Sequence, residues 1–194
     1  IDELEKWLQQ EQPVAIGACG LDFFLDAPER RSQRDYFDAQ LALAQHYRLP
    51  VIVHARRAVE DVINAVRSYP GVRGVVHSYS GSMQQALRLI DLGFLMSLGG
   101  PLTYPRAKRL RLLAGTLPLG ALMLESDAPD QPDVDNRGNR NEPARLNRVL
   151  ATLAELRSES AEEIAAATSR NAEQLFHIRA SGKQPDLSRA SFVP

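Results

Sequence analysis

The most regular feature of this chain is an alternation between short apolar segments and longer segments with helical periodicity. Each apolar segment is rich in β-branched or aliphatic residues and is followed by a polar loop. Apolar positions spaced three and four residues apart come next. This alternation predicts strands that each lead into a helix. The predicted strands cover residues 14–19, 50–54, 74–77, 94–98 and 121–125.

The predicted helices are bounded by recognisable signals. A helix over residues 58–69 stops at Pro70, and Pro105 is placed in the first turn of the helix after the fourth strand, where proline is favoured. Ser160 and Glu163 have the spacing of a capping box before the last helix. The other predicted helices cover residues 1–10, 32–47, 82–92 and 144–156.

Five strands that alternate with helices predict a parallel sheet of the α/β class. Two architectures fit this prediction: an open doubly wound sheet, or part of a (β/α)8 TIM-type barrel. A complete barrel normally takes about 250 residues, so a barrel in these 194 residues would lack three βα units. We expect a partial barrel over residues 1–179 and a flexible, polar tail over 180–194.

The composition indicates more about the compartment and the partners of the protein than about any reaction that it catalyses. The only cysteine, Cys19, excludes an internal disulfide framework, and a reducing cytoplasm is the compartment that we expect. No apolar run is long enough for a membrane span, so we expect no membrane partner. The net charge of −1 excludes a global positive field, and any contact with a polyanion must therefore be local.

The candidate chemistry lies where the predicted strands end. His54 and His77 each close a strand, and Asp127 follows the last strand closely. Because parallel α/β folds place their sites at the carboxyl ends of the strands, we expect these side chains at one edge of the sheet. Imidazole and carboxylate groups suit Zn²⁺, Mn²⁺ or Fe²⁺. For either histidine alone, a hydrogen bond to the backbone is the alternative.

Other polar groups follow the same strand ends. Arg56 and Arg57 place guanidinium groups beside His54, where they can hold a phosphate or simply be solvated. The serine-rich residues 78–82 offer hydroxyl groups to an anion, or N-caps to the next helix. Ser78 lacks a nucleophile-elbow motif, which disfavours a Ser-His-Asp hydrolase.

Several longer segments carry these strand-end residues. In chain order they are AIGACGLDFF at 15–24, LPVIVHARR at 49–57, GVVHSYSGS at 74–82 and LESDAPD at 124–130. Together they resemble the strand-end motifs of the TatD family of metal-dependent deoxyribonucleases. Weaker support for this resemblance comes from SLGGPLTYPRA at 97–107 and SRNAEQLF at 169–176.

The resemblance implies a (β/α)8 barrel of the amidohydrolase type, with a two-metal site that hydrolyses phosphodiester bonds of DNA. It implies that His54, His77 and Asp127 are metal ligands, that Asp127 is also the general base, and that Arg56 helps to hold the substrate phosphate. It does not distinguish Mg²⁺, Mn²⁺ and Zn²⁺ as the metal.

The sequence departs from the family pattern at two points. The family opens with a His-x-His motif on its first strand, and no such motif occurs here. Ala18 stands where the family has the glutamate that bridges the two metals, and a methyl group cannot ligate a cation. We therefore expect strands four to eight of the barrel, half of the usual protein ligands, and little or no nuclease activity.

Two other functions stay open beside the deoxyribonuclease. The chain can be a non-catalytic barrel remnant that folds only with a partner, or an amide or ester hydrolase of the amidohydrolase superfamily. An incomplete barrel also leaves sheet edges unpaired and apolar surface uncovered, from which we expect self-association.

Overall fold

The computed structural model describes residues 1–24 and 29–178. The predicted tail at 180–194 lies outside the described residues. The strands are β1 (Ile16–Asp22), β2 (Val51–Arg56), β3 (Gly74–Val76), β4 (Phe94–Leu98) and β5 (Leu122–Leu124). The helices are α1 (Asp2–Glu11), α2 (Arg30–Tyr47), α3 (Val59–Arg67), α4 (Met83–Asp91), α5 (Lys108–Thr116), α6 (Leu146–Leu156) and α7 (Ala161–Phe176). Short 3₁₀ helices cover Gly100–Thr103, Leu119–Ala121, Val134–Asn136 and Pro143–Arg145.

The strands form one parallel sheet in the order β1-β2-β3-β4-β5. The prediction of a parallel α/β sheet is therefore confirmed. Every strand is added on the same side of the one before it, whereas a doubly wound sheet reverses the direction of strand addition at a switch point. Of the two architectures that the sequence left open, this topology has the winding of a barrel.

The helices cover one face of this sheet. Val51, Val53 and Ala55 of β2 alternate on that face, as do Phe94, Met96 and Leu98 of β4. They share one core cluster with buried side chains of all seven helices, such as Phe37, Val62, Leu89 and Leu153. Burying an aliphatic or aromatic side chain of this size stabilises the fold by about 1.5–3 kcal/mol.

We call the opposite face of the sheet the inner face, and its character changes along the strands. In its amino half it carries the apolar side chains of Ile52, Val75, Leu95 and Met123. The carboxyl-terminal half of α7 packs on these residues through Ala172, Leu175 and Phe176. Two residues further along the chain, the inner face becomes polar. The residues there are His54, His77, Ser97 and Glu125.

Element boundaries differ from the sequence predictions in a few places. His54 is not the last residue of its strand, because β2 continues to Arg56 through pairing with β1. Pro105 lies in a turn, and α5 begins three residues later at Lys108. The capping box of Ser160 and Glu163 is confirmed. Among the described residues, none of the helices has the length and hydropathy needed to span a membrane.

A long loop after β5 is anchored by an ion pair whose carboxylate is buried. Asp133 is 1% exposed and accepts hydrogen bonds from Arg145 Nε at 2.6 Å and Nη2 at 2.7 Å. Val134 N–H donates to Thr103 Oγ1 at 2.8 Å, and Tyr104 Oη donates to the Pro132 carbonyl at 3.1 Å. These bonds fasten the loop to the segment that follows β4.

We expect Asp133→Asn to destabilise the protein by about 1–3 kcal/mol at pH 7, because a hydrogen-bonded charge pair is lost from a buried position. The Arg145 hydrogen bonds lower the pKa of Asp133 in the folded protein. Since that pKa lies below the unfolded value of about 3.9, the stabilisation is fully present above pH 4 or so. It is lost as the pH falls through the folded pKa.

Urea unfolding of the unmodified protein and of Asp133→Asn between pH 7 and pH 2 measures the difference in their free energies of unfolding. The control is Asp135→Asn, which removes a surface pair with Arg148 at 2.7 Å, where Asp135 is 58% exposed. The free energy of unfolding should fall by less than about 1 kcal/mol in Asp135→Asn. Equal effects of the two substitutions would contradict an anchoring role for Asp133.

Candidate metal centre at the carboxyl end of the sheet

A cavity of about 440 Å³ opens at the carboxyl ends of β2, β3 and β4. Side chains from three strand ends and from the loop after β5 meet in it. The lining residues are His54, Ala55, Arg56, His77, Ser78, Tyr79, Ser80, Ser97, Leu98, Gly99, Pro101, Leu110 and Gln131. Polar side chains of histidine, arginine, serine and glutamine therefore meet in a cavity whose remaining lining is apolar.

His54 and His77 contact each other directly in this cavity. The pairing of Val53 with Val76 puts the two histidines at the same level on neighbouring strands. Such neighbours on one face lie about 5 Å apart. The rings have centroids 5.2 Å apart, and His54 Nδ1 lies 3.0 Å from His77 Nε2. The sequence prediction that these side chains share one edge of the sheet is therefore met for the two histidines.

Asp22 holds the other side of the His54 ring. Its Oδ2 lies 3.1 Å from His54 Nε2, and its Oδ1 accepts the Phe24 N–H at 2.9 Å. Partial desolvation opposes ionisation of Asp22, but these hydrogen bonds and the charge of Arg56 outweigh it and lower the pKa. Asp22 is therefore an anionic acceptor. Gly20 permits the close approach of the strands here, since a Cβ at that position would lie 2.1 Å from the His54 carbonyl oxygen.

These bonds assign the proton positions of the pair. An ionised carboxylate only accepts hydrogen bonds, so His54 Nε2 carries the proton that is donated to Asp22. In a neutral His54, Nδ1 then accepts a hydrogen bond from His77 Nε2. A carboxylate behind a histidine is the usual support of a metal-ligating imidazole.

The histidine pair fits a shared cation. Two nitrogens bound to one tetrahedral ion at 2.0–2.1 Å would lie about 3.3 Å apart, against the 3.0 Å between these nitrogens. A small opening of the pair is enough to replace the shared proton by a metal. Among residues 1–24 and 29–178, however, no three His, Cys, Asp or Glu side chains converge as a ligand group. The pair supplies two donors, and the third is not preassembled.

Glu125 is the main residue of the site that the sequence reasoning missed. It accepts hydrogen bonds from Ser97 Oγ at 2.5 Å and from the Ser78 N–H at 2.6 Å. Burial raises its pKa, and these two bonds and the nearby His77 only partly offset the rise. The signal was available in the two-residue alternation, because Glu125 follows the inner-face Met123 by two positions.

Asp127 lies on the loop that follows β5. Its Oδ2 accepts a hydrogen bond from Gln131 Nε2. Asn141, which is buried, clamps this loop by donating to the carbonyls of Ser126 and Asp130. The structure thus joins His54 and His77 directly, and fixes Asp127 on a separate and well-anchored loop.

The two remaining predicted positions lie beside the histidine pair. Ala18 is exposed and lines a cleft of about 370 Å³ together with Asp22 and His54. Arg56 lines the main cavity, and its Cζ lies 3.6 Å from the centre of the Phe24 ring. The Arg56 side chain is 52% exposed, so the guanidinium is held against this ring with access to solvent.

Comparison with protein families gives one extended match. The family model described as "TatD related DNase" matches residues 1–177. YjjV of Escherichia coli K12, named an uncharacterized metal-dependent hydrolase, is 42% identical over 181 residues, which is 92% of this chain and 70% of that protein. YabD of Bacillus subtilis, with the same description, is 36% identical over 89% of this chain and 70% of its own length.

Solved structures show the same relationship. The crystal structure of the E. coli YjjV, described as a TatD homologue, superposes with a TM-score of 0.87 over 92% of this chain and 70% of that one, at 42% identity. A TatD-family hydrolase from Entamoeba histolytica superposes with a TM-score of 0.78 over 92% of this chain and 68% of its own, at 20% identity. The latter similarity supports the fold alone.

We expect His54 to carry its proton on Nε2 in the metal-free protein, because Asp22 accepts from that nitrogen. Nitrogen-15 NMR of the imidazole rings above neutral pH measures the tautomer directly. Asp22→Ala should remove the preference, while His46→Ala on the surface of α2 should leave the His54 signals unchanged. A His54 ring protonated on Nδ1 in the unmodified chain would contradict the assignment.

Proposed function

Because the chain belongs to the family of TatD related DNases, we propose that its cavity is the divalent-metal site of a hydrolase that acts on phosphodiester bonds of DNA. One observation carries this proposal. His54 Nδ1 and His77 Nε2 face each other at 3.0 Å, with Asp22 supporting His54 from behind. That arrangement is one of imidazole ligands ready to exchange a proton for a cation.

The roles of the residues follow from their positions. His54 and His77 hold a cation, and Asp127 is a further ligand and the general base that takes a proton from water. A bound divalent ion lowers the pKa of its water and neutralises charge on phosphate oxygens. Arg56 binds the substrate phosphate at the cavity mouth. The proposed cation is Zn²⁺, Mn²⁺ or Mg²⁺, because the imidazole nitrogens suit Zn²⁺ and the Asp127 carboxylate suits Mn²⁺ and Mg²⁺.

We further propose that the five strands correspond to strands four to eight of a TatD-type barrel, within a domain of residues 1–179. The consecutive strand order and the order of the motifs support this correspondence. Ala18 then takes the place of the bridging glutamate and contributes no ligand. The chain by itself is accordingly a weak or inactive nuclease, and its two-donor histidine pair favours a non-catalytic role as the second candidate.

The proposal also includes a compartment and two kinds of partner. Cys19 is a free, buried thiol, in keeping with a reducing compartment such as the cytoplasm. DNA is the proposed substrate partner. The edges of β1 and β5 and the half-covered inner face support self-association of the chain.

We expect little cleavage of a labelled DNA duplex by the unmodified chain in Mn²⁺ or Mg²⁺, and Ala18→Glu alone should not restore it. The variant regains a carboxylate beside His54 but not the two His-x-His ligands. Loss of transition-state stabilisation by one metal amounts to several kcal/mol, hence several orders of magnitude in rate. A chain extended by three family-like strands should cleave clearly only when it also carries Ala18→Glu.

Activity on a panel of small esters and amides, measured on the same samples, separates the alternatives. Ester or amide turnover without DNA cleavage would favour a different hydrolase. Metal-dependent DNA cleavage by the unmodified chain, abolished in His54→Ala, would contradict the proposed loss of activity.

We expect the chain to associate with increasing concentration in size-exclusion chromatography with light scattering. Ala18→Lys places a charge on the exposed edge of β1 and should weaken the association. Leu112→Lys is the matched control, because Leu112 is 68% exposed on α5 and not part of a strand. A monomer at every concentration, with a cooperative thermal transition, would contradict the expectation.

A further inference from the structure

We propose that Gln131 is a positioning residue that orients the Asp127 carboxylate toward a bound cation. This inference rests on the proposed function, in which Asp127 is a metal ligand. Neither the strand pattern nor the motif resemblance assigns a role to Gln131. It enters the site because the loop after β5 folds back over the cavity that Gln131 lines.

A continuous chain of hydrogen bonds links Gln131 to two strand ends. Gln131 Nε2 donates to Asp127 Oδ2, and Gln131 Oε1 accepts from Ser78 Oγ at 2.8 Å. The Ser78 N–H in turn donates to Glu125 Oε1 at 2.6 Å. Glu125 lies two residues before Asp127, so the chain of bonds closes into a ring through Ser126.

The chemistry of the groups fixes the direction of each bond. Because an ionised Asp127 only accepts, Gln131 must turn its amide nitrogen toward the carboxylate and its oxygen toward Ser78. The bond engages one of the two carboxylate oxygens. The other oxygen, Oδ1, accepts no hydrogen bond from the residues that the structure describes, and it is this oxygen that we assign to a cation or its water.

The backbone conformation of three residues in this hydrogen-bonded chain also indicates a ligand site. Ser78, Asp127 and Gln131 have φ angles of 47°, 50° and 48°, which is the left-handed region. This region is sterically unfavourable for a residue other than glycine. Such conformations persist where the surroundings enforce them, and they cluster at ligand sites.

The surroundings of Gln131 do enforce its conformation. A Cβ on Gly100 would lie 2.1 Å from the Gln131 carbonyl oxygen, so only glycine lets the loop pass this close to the segment after β4. Asn141 Nδ2 binds the Asp130 carbonyl at 2.8 Å. The amide of Gln131 is therefore held by its backbone as well as by its hydrogen bonds.

The test removes the hydrogen bonds of Gln131 while keeping its volume. Gln131→Met and the unmodified protein are compared by calorimetric titration with Mn²⁺, together with thermal melting. The control is Gln45→Met, the same substitution at a glutamine whose Nε2 binds the Pro70 carbonyl at 2.9 Å in a different part of the chain. A second measurement, without metal, follows the Gln131 side-chain amide signals by NMR in the unmodified protein and in Asp127→Ala.

We expect Gln131→Met to weaken Mn²⁺ binding about 10-fold or more, as loss of a ligand's support does, with a melting temperature close to that of Gln45→Met. Gln45→Met should bind Mn²⁺ like the unmodified chain. The Gln131 amide signal should move in Asp127→Ala, because its carboxylate acceptor is gone. Unchanged Mn²⁺ affinity in Gln131→Met would overturn the positioning role.

The two measurements separate failure of this inference from failure of the proposed function. If the unmodified chain binds no Mn²⁺, the proposal of a metal site is wrong. The NMR signal of the Gln131 side-chain amide then tests by itself whether Gln131 orients Asp127. Movement of that signal in Asp127→Ala would support the orientation of Asp127 by Gln131. An unmoved signal would overturn it whatever the metal does.

Discussion

The register of the parallel strands fixes which side chains of neighbouring strands lie beside each other. Side chains alternate between the faces of each strand, and one face is packed against the helices. A shift of one residue in β2 would bury His54 against the helices and expose Val53 on the inner face. The apolar residues that fix the register therefore also fix which polar residues meet at the carboxyl end of the sheet.

The inner face combines two environments along a few residues of each strand. Its amino half is apolar and is covered by α7, whereas its carboxyl half collects imidazole, hydroxyl and carboxyl groups. Burial of Glu125 in such a place is tolerable because Ser97 and Ser78 supply hydrogen bonds to its two oxygens. Hydrogen bonds among the polar groups thus stabilise the site, which adjoins the apolar half of the inner face.

Membership of the TatD-related family identifies the fold of the chain, but it does not identify the reaction. The chain superposes on YjjV with a TM-score of 0.87 and spans 70% of that protein. Two similar proteins, YjjV and YabD, are themselves named uncharacterized metal-dependent hydrolases. Activity depends on the individual side chains of a site rather than on the fold that carries them.

The five strands, their helices and the proximity of His54 to His77 could be predicted from the amino-acid sequence, because periodicity and strand-end positions are local properties of the chain. The same pattern placed Asp127 after β5, and the motifs marked Ala18 as a departure from the family pattern. The consecutive strand order, the support of His54 by Asp22 and the hydrogen bonds of Glu125 and Gln131 could be seen only in the folded chain. These contacts join residues that are far apart in sequence or lie on an irregular loop, where the path of the backbone is set by packing against β4 and its following segment and by the ion pair of Asp133 and Arg145.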